Sequence, residues 1–281
     1  MKASTFCFVW ITLQLLEATG QLDTKLRGTK TRQEPLQEPL LCRIIAVDVT
    51  YNKDNIFAQE RNILGYECCP FEEGIESDKC YEIGITDALA EQHAKDLTHG
   101  NLVVSIQGGQ VVEGYVTFPE NAVMEVSSAP QSAYSPPRRL ITTGTKTLLV
   151  VRVSSNDSEV GFSTAELKDL TFNDSDVSTK SQMNNCSFGQ LLLEPAYGGI
   201  LDVDINMNTT GNVRSLVVAA ATEAARQKLG IERLYQAADL ILLCIPPGTG
   251  GWAAVAGTNH WLSVYNDKIC GYLSVTMHEI G

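Results

Sequence analysis

The run from Val213 to Gly248 constrains the fold of this chain more than any other stretch. Its first half, "VRSLVVAAATEAARQKLG", repeats apolar residues at helical spacing and stops at Gly230, where glycine can take the left-handed conformation that ends a helix. Its second half, "ADLILLCIPPG", is an apolar run of strand length closed by Pro246, Pro247 and Gly248. Upstream, "FGQLLLEPA" and "GILDVDINM" read as two strands, and "TLLVVRVSS" alternates like another. Between them "STAELKDLTF" opens with Ser163 and Glu166 at capping-box spacing, so a helix follows. Strand, helix and strand in this order describe an α/β sheet with a long backing helix, assigned to residues 146–281.

Residues 42–126 have a different texture. The β-like runs "CRIIAVDVTY", "NLVVSI" and "QVVEGYVTF" are separated by Gly and Asn turn signals and by the helical "TDALAEQHAKDLTHG". Cys42, Cys68, Cys69 and Cys80 fall in this part, which is expected to be a small β-rich α+β domain pinned by cysteines. Residues 127–145 have the Pro, Ser and Gly content of an exposed linker and carry Arg138-Arg139. That pair reads either as a processing site or as two solvated arginines in a plain interdomain loop.

The first twenty residues, "MKASTFCFVWITLQLLEATG", place Lys2 before an apolar stretch from Phe6 to Leu16, with Ala18 and Gly20 at a cleavage-site spacing. They read as a secretory signal peptide, removed after Gly20. The apolar stretch is too short to span a bilayer, which needs ~20 apolar residues. Residues 21–41 end in the tandem "QEPLQEPL", whose prolines favour an extended linker. Loss of Cys7 with the leader leaves seven of the eight cysteines. In an oxidising compartment most should pair, and an odd number leaves one thiol free or paired elsewhere. Sequons at Asn156, Asn173, Asn185 and Asn208 fit a secreted glycoprotein, and three of them crowd into a stretch that reads as an exposed connection. A formal net charge of −12, with no long Lys/Arg run, argues against a nucleic-acid partner. A soluble secreted monomer is expected.

The chain closes on "GYLSVTMHEIG". A zinc-peptidase helix carries H-E-x-x-H, in which the two imidazoles sit one turn apart on one face and the intervening carboxylate reaches metal-bound water. His278, Glu279, Ile280 and Gly281 supply the first four positions. The bland alternative is an ordinary helix with a solvated His-Glu pair. The other candidates are weaker. His260 in "GTNHW" reads as a loop or aromatic-packed histidine, His93 and His99 as solvated flanks of a helix, and Asp202 and Asp204 as a polar strand edge. "PPGTGG" lacks the Lys-Ser/Thr of a phosphate loop and reads as a turn.

Several features together decide between these readings: the strand end Cys244-Ile245-Pro246-Pro247-Gly248-Thr249, Trp252, "WLSVYND", Cys270 and Met277-His278-Glu279-Ile280-Gly281. With "NNCSFGQLLLEPA" upstream, residues 147–281 resemble the secreted gametolysin-type zinc metallopeptidases, relatives of the metzincins. The resemblance implies that His278 is a zinc ligand and Glu279 the general base, with Zn²⁺ as cofactor and extracellular or cell-wall proteins as substrates. It also implies that residues 42–126 are a propeptide, that residues 146–281 are a truncated zincin-like catalytic domain, and that the remaining ligands lie beyond Gly281. A propeptide cysteine silencing the metal is one further reading of the odd cysteine count. The rival from another class is a non-catalytic secreted glycoprotein, an adhesion module on a peptidase-like fold.

Overall fold

The structure, a computed structural model, describes residues 39–280 apart from 52–60, 73–74, 99–101, 118–122, 128–142, 175–176 and 258–259. The expected leader, most of the linker after it, His99 and the Arg138-Arg139 pair lie outside the described residues. The N-terminal part contributes strands β1 (Leu40–Tyr51), β2 (Arg61–Glu72), β3 (Ile75–Glu76) and β4 (Tyr81–Ile83), then helices α1 (Asp87–Gln92) and α2 (Ala94–Thr98). Strands β5 (Val103–Gln107), β6 (Gln110–Val112), β7 (Tyr115–Thr117) and β8 (Val123–Val126) follow. The C-terminal part runs β9 (Gly144–Ser154), α3 (Thr164–Phe172), α4 (Thr179–Cys186), β10 (Leu191–Asp204), α5 (Arg214–Leu229), β11 (Leu240–Ile245), β12 (Trp252–Gly257), β13 (Leu262–Asn266) and α6 (Leu273–Ile280).

The result is mixed α/β, with one large mixed sheet that runs β10-β9-β11-β13-β12-β1-β2-β4-β7-β6. Within the C-terminal part β10, β9, β11 and β13 are parallel, and β12 returns antiparallel to β13. The apolar run "LILLCI" forms β11, buried along its whole length, as a central parallel strand covered on both faces requires. α5 ends as the sequence predicts, with Gly230 at φ 67°. α3 opens with the Ser163–Glu166 capping box, each side chain satisfying the other residue's backbone N–H.

Some readings change. "FGQLLLEPA" and "GILDVDINM" belong to one strand, β10, whose register against β9 shifts between Pro195 and Ile200, so the glycines mark a bulge rather than a break. "QVVEGYVTF" is a hairpin, β6 turning into β7 at Glu113-Gly114. The sequon-rich stretch is largely helical: Asn173 caps the end of α3, and Asn185 is an exposed residue of α4. Ser178 caps α4 by accepting from the Ser181 N–H, a signal hidden among polar residues.

Two apolar layers enclose the C-terminal sheet. On one face Val217, Ala221 and Ala225 of α5 pack with Leu243, Val255 and Val264, and with Ile45, Val47 and Val49 of β1. On the other, Leu167 of α3, Met183 of α4 and Val275 of α6 cover Leu148, Leu242 and Tyr265. A third cluster, around Ile44, Leu102, Val104 and Ile106, fills the N-terminal part. Each fully buried aliphatic side chain contributes ~1.5–3 kcal/mol, so the β1 valines help bind the two parts together.

Disulfides join Cys42 to Cys68, Cys69 to Cys80 and Cys244 to Cys270. Among the described residues the free thiol is the exposed Cys186. Cys42, Cys68, Cys69 and Cys80, the four cysteines of residues 42–126, are therefore paired, and none of them is available as a thiolate switch. Among the described residues no helix is long and apolar enough to cross a membrane.

Candidate functional site

β13 leads through a 3₁₀ turn, Asp267–Gly271, straight into α6. Three contacts fix that turn. Cys270 is tied to Cys244 on β11, Asp267 Oδ1 accepts the Gly161 N–H at 2.9 Å, and Gly271 sits against the ring of Phe162. A Cβ at Gly271 would lie 2.3 Å from that ring, so the close approach needs glycine there. α6 then buries Val275 and Thr276 and half-buries Met277 and Ile280. His278 leaves the buried stripe with its side chain half exposed, whereas Glu279, one turn after Val275, is partly buried. The nearest buried phenol is that of Tyr265, held well above its ordinary pKa by burial, with the charge of Glu279 pushing the same way.

His278 is not solvated alone. Its Nε2 lies 3.2 Å from Oδ2 of Asp48, a residue in the middle of β1. Strand alternation explains the meeting. Ile45, Val47 and Val49 face α5, so Asp48 faces the side occupied by α6. Asp48 pairs across to Ala256 of β12 and to Leu64 of β2, so β1 is a central strand there. Sequence reasoning passed over Asp48, because one acidic residue in a run such as "RIIAVDVTY" carries no spacing signal.

The other candidates take structural places. His260 packs tilted against Trp261 at a centroid distance of 5.1 Å, and burial pulls its pKa down to about 4. His93 caps the end of α1 with only 18% of its side chain exposed, so it is less solvated than its sequence suggested. Asp202 is engaged by Arg152 at 3.2 Å and by the Thr164 hydroxyl at 2.7 Å, and Asp204 is exposed on the outermost strand β10. The loop Pro246–Gly251 is held by its Pro247 carbonyl, which accepts hydroxyls from Ser158 and Thr209. A groove lined by Val49, Tyr66, Glu82, Arg214, Gly250 and Trp252 does not include His278 or Glu279 in its wall.

An imidazole nitrogen and a carboxylate oxygen are both donors that Zn²⁺ accepts, and His278 and Asp48 bring one of each together. Among the described residues, however, no group of three potential ligands converges. The residues present fit a zinc site in kind and fall short of one in number. No protein-family model, no curated protein and no solved structure matches the chain.

Proposed function

We propose that the chain is the N-terminal portion of a secreted zinc metalloendopeptidase precursor, with His278 as the first metal ligand and Glu279 as the general base. Two further ligands are then required from residues beyond Gly281. A zinc ion bound there would supply a water acidified toward neutrality. Glu279 would accept that water's proton.

The observation that carries this reading is the position of α6. The helix bearing His278 and Glu279 comes directly off β13 and packs along β12, the antiparallel outer strand of the C-terminal part. An extended polypeptide laid on that strand would pass His278, as Asp48 of β1 does now. Strand addition of this kind is a general way to hold a peptide in line with a cleavage site. Three disulfides fit the oxidising compartment that secretion implies. Peptide or cell-wall protein substrates, a zincin-like architecture for residues 146–281 and a propeptide role for residues 42–126 belong to the same proposal.

The second reading, a non-catalytic adhesion module, draws on one observation: no group of three potential ligands converges among the described residues. Variants of the protein extended beyond Gly281 separate the two. Glu279→Gln should keep stoichiometric zinc while losing ~10²- to 10⁴-fold in peptide hydrolysis, the usual worth of a general base. His278→Ala should lose both. An active Glu279→Gln protein, or zinc retained by His278→Ala, would favour the module. The 281-residue chain alone should cleave no casein, because a catalytic zinc needs three protein ligands.

A further inference from the structure

α4 ends in a turn that carries an aromatic ring for which the fold has no use. Phe188, two residues past the helix, is 92% exposed, against 62% for Val177, the next most exposed large apolar residue described. Its backbone is left-handed at φ 55°, a conformation that strains a ring-bearing residue and suits the glycine that follows it at 78°. A ring so placed removes almost no apolar surface from water, so burial returns nothing for the strain. The Asn185 carbonyl accepts the Phe188 N–H at 3.1 Å, which holds the two residues in one tight turn.

The same turn holds a second, independent feature. Asn185-Cys186-Ser187 satisfies the N-x-S/T rule, in which only proline is barred from the middle place. Of the four sequons this is the one with an exposed aromatic residue within three positions. Asn156 and Asn208 have no aromatic residue that near, and Phe172, beside Asn173, is buried. The side-chain nitrogens of Asn156 and Asn173 also donate already, to Asn206 at 3.3 Å and to Asp169 at 2.7 Å. Asn185 is exposed at the helix end.

We infer that Asn185 carries an N-linked glycan whose first N-acetylglucosamine lies on the ring of Phe188. The sugar is the partner that the exposed ring lacks in the polypeptide alone. From the reading above the inference takes only entry into the secretory pathway, where the asparagine meets a lipid-pyrophosphate-linked oligosaccharide. Nδ2 of Asn185 attacks the anomeric carbon of that donor. The carbon–nitrogen bond forms, the bond from that carbon to the pyrophosphate oxygen breaks, and Nδ2 gives up one proton as the lipid pyrophosphate leaves with the bonding pair. One face of the pyranose presents C–H groups, which are apolar and slightly positive, and these suit the negative face of a phenyl ring. Stacking takes the ring out of water while the sugar hydroxyls stay solvated.

The test uses the 281-residue protein produced through a secretory host behind a host leader, so that it does not depend on residues 1–20, and trimmed to the first sugar. Peptide mass mapping should find the sugar on Asn185. In the glycosylated protein Phe188→Ala should lower Tm by about 1–3 °C, the shift one aromatic contact produces in a chain of this size. In the Asn185→Gln background the same change should leave Tm unaltered, because the bare ring touches nothing that stabilises the fold. Enzymatic removal of the sugar from the folded protein gives the same unglycosylated reference without a variant. The N-acetyl proton resonances of the Asn185 sugar should be shifted upfield by the ring current and return to their ordinary position in Phe188→Ala. An unmodified Asn185, or a Phe188→Ala effect that is the same with and without the sugar, would overturn the inference. So would an unglycosylated protein that dimerises through Phe188 and becomes monomeric on Phe188→Ala, since the ring's partner would then be a second copy. No readout involves zinc or hydrolysis, so failure here is distinct from failure of the metallopeptidase reading.

Discussion

Arg214, the first residue of α5, places its Nη2 2.9 Å from Oε1 of Glu67 on β2, with Glu82 of β4 equally close and the Trp252 ring 5.5 Å from the guanidinium. The cation has 9% of its side chain exposed and Glu67 20%, so the cluster is largely desolvated. Burial raises the Glu67 pKa, and Arg214 opposes that shift. Removing one member strands the other's charge, which typically costs ~3–5 kcal/mol, whereas replacing both with apolar groups can be nearly neutral. Arg214→Ala should therefore destabilise the protein by about 3 kcal/mol in urea unfolding. Arg214→Met with both Glu67→Gln and Glu82→Gln should recover much of that loss. Equal loss in the single and combined variants would show that the cation acts only through packing on Trp252.

Gly271→Ala should cost about 1–3 kcal/mol, the usual penalty for an overpacked site, because its Cβ would meet the Phe162 ring at 2.3 Å. Phe162→Ala in the same protein should relieve most of the clash. Because Gly271 ends the turn that leads into α6, the variant should also loosen exchange at the start of α6 before it affects β9. Thermal unfolding and amide exchange read both effects.

His260 sets an acid limit on stability. Its folded pKa is depressed to about 4 against an ordinary 6.5, first by burial and also by the charge of Arg43, so the unfolded chain takes up the proton first. The stability it contributes is complete above pH 6.5 and is lost as pH falls toward 4. Glu67 runs the other way, since a raised carboxylate pKa gives stability present at low pH and lost as pH rises from 4.5 through its folded value. His260→Gln should flatten the decline between pH 6.5 and 4 in urea-unfolding free energies. An unchanged decline would assign it to other groups.

The C-terminal part was the more legible in sequence because its signals are local. The α5 periodicity ending at Gly230, the uniform apolarity of β11 and the Ser163–Glu166 box each describe their own element. β2 was missed because "RNILGYECCPFE" mixes charge, glycine and proline, and it is made a strand by its long pairing with β1 rather than by propensity. That β1 would also pair with β12 is a tertiary contact that no periodicity encodes. At the site, the sequence motif pointed to His278 and Glu279, but the partner of His278 is 230 residues away in the chain, on a strand whose alternation alone does not reveal what it faces.

If His278 and Glu279 are the first half of a zinc site, as proposed, sequencing the transcript immediately downstream of the Gly281 codon should show a histidine codon at the next position, completing H-E-I-G-H on α6, with a third nitrogen or oxygen ligand shortly after it. A stop codon there, or any residue unable to bind zinc, would leave α6 an ordinary helix whose one histidine pairs with Asp48.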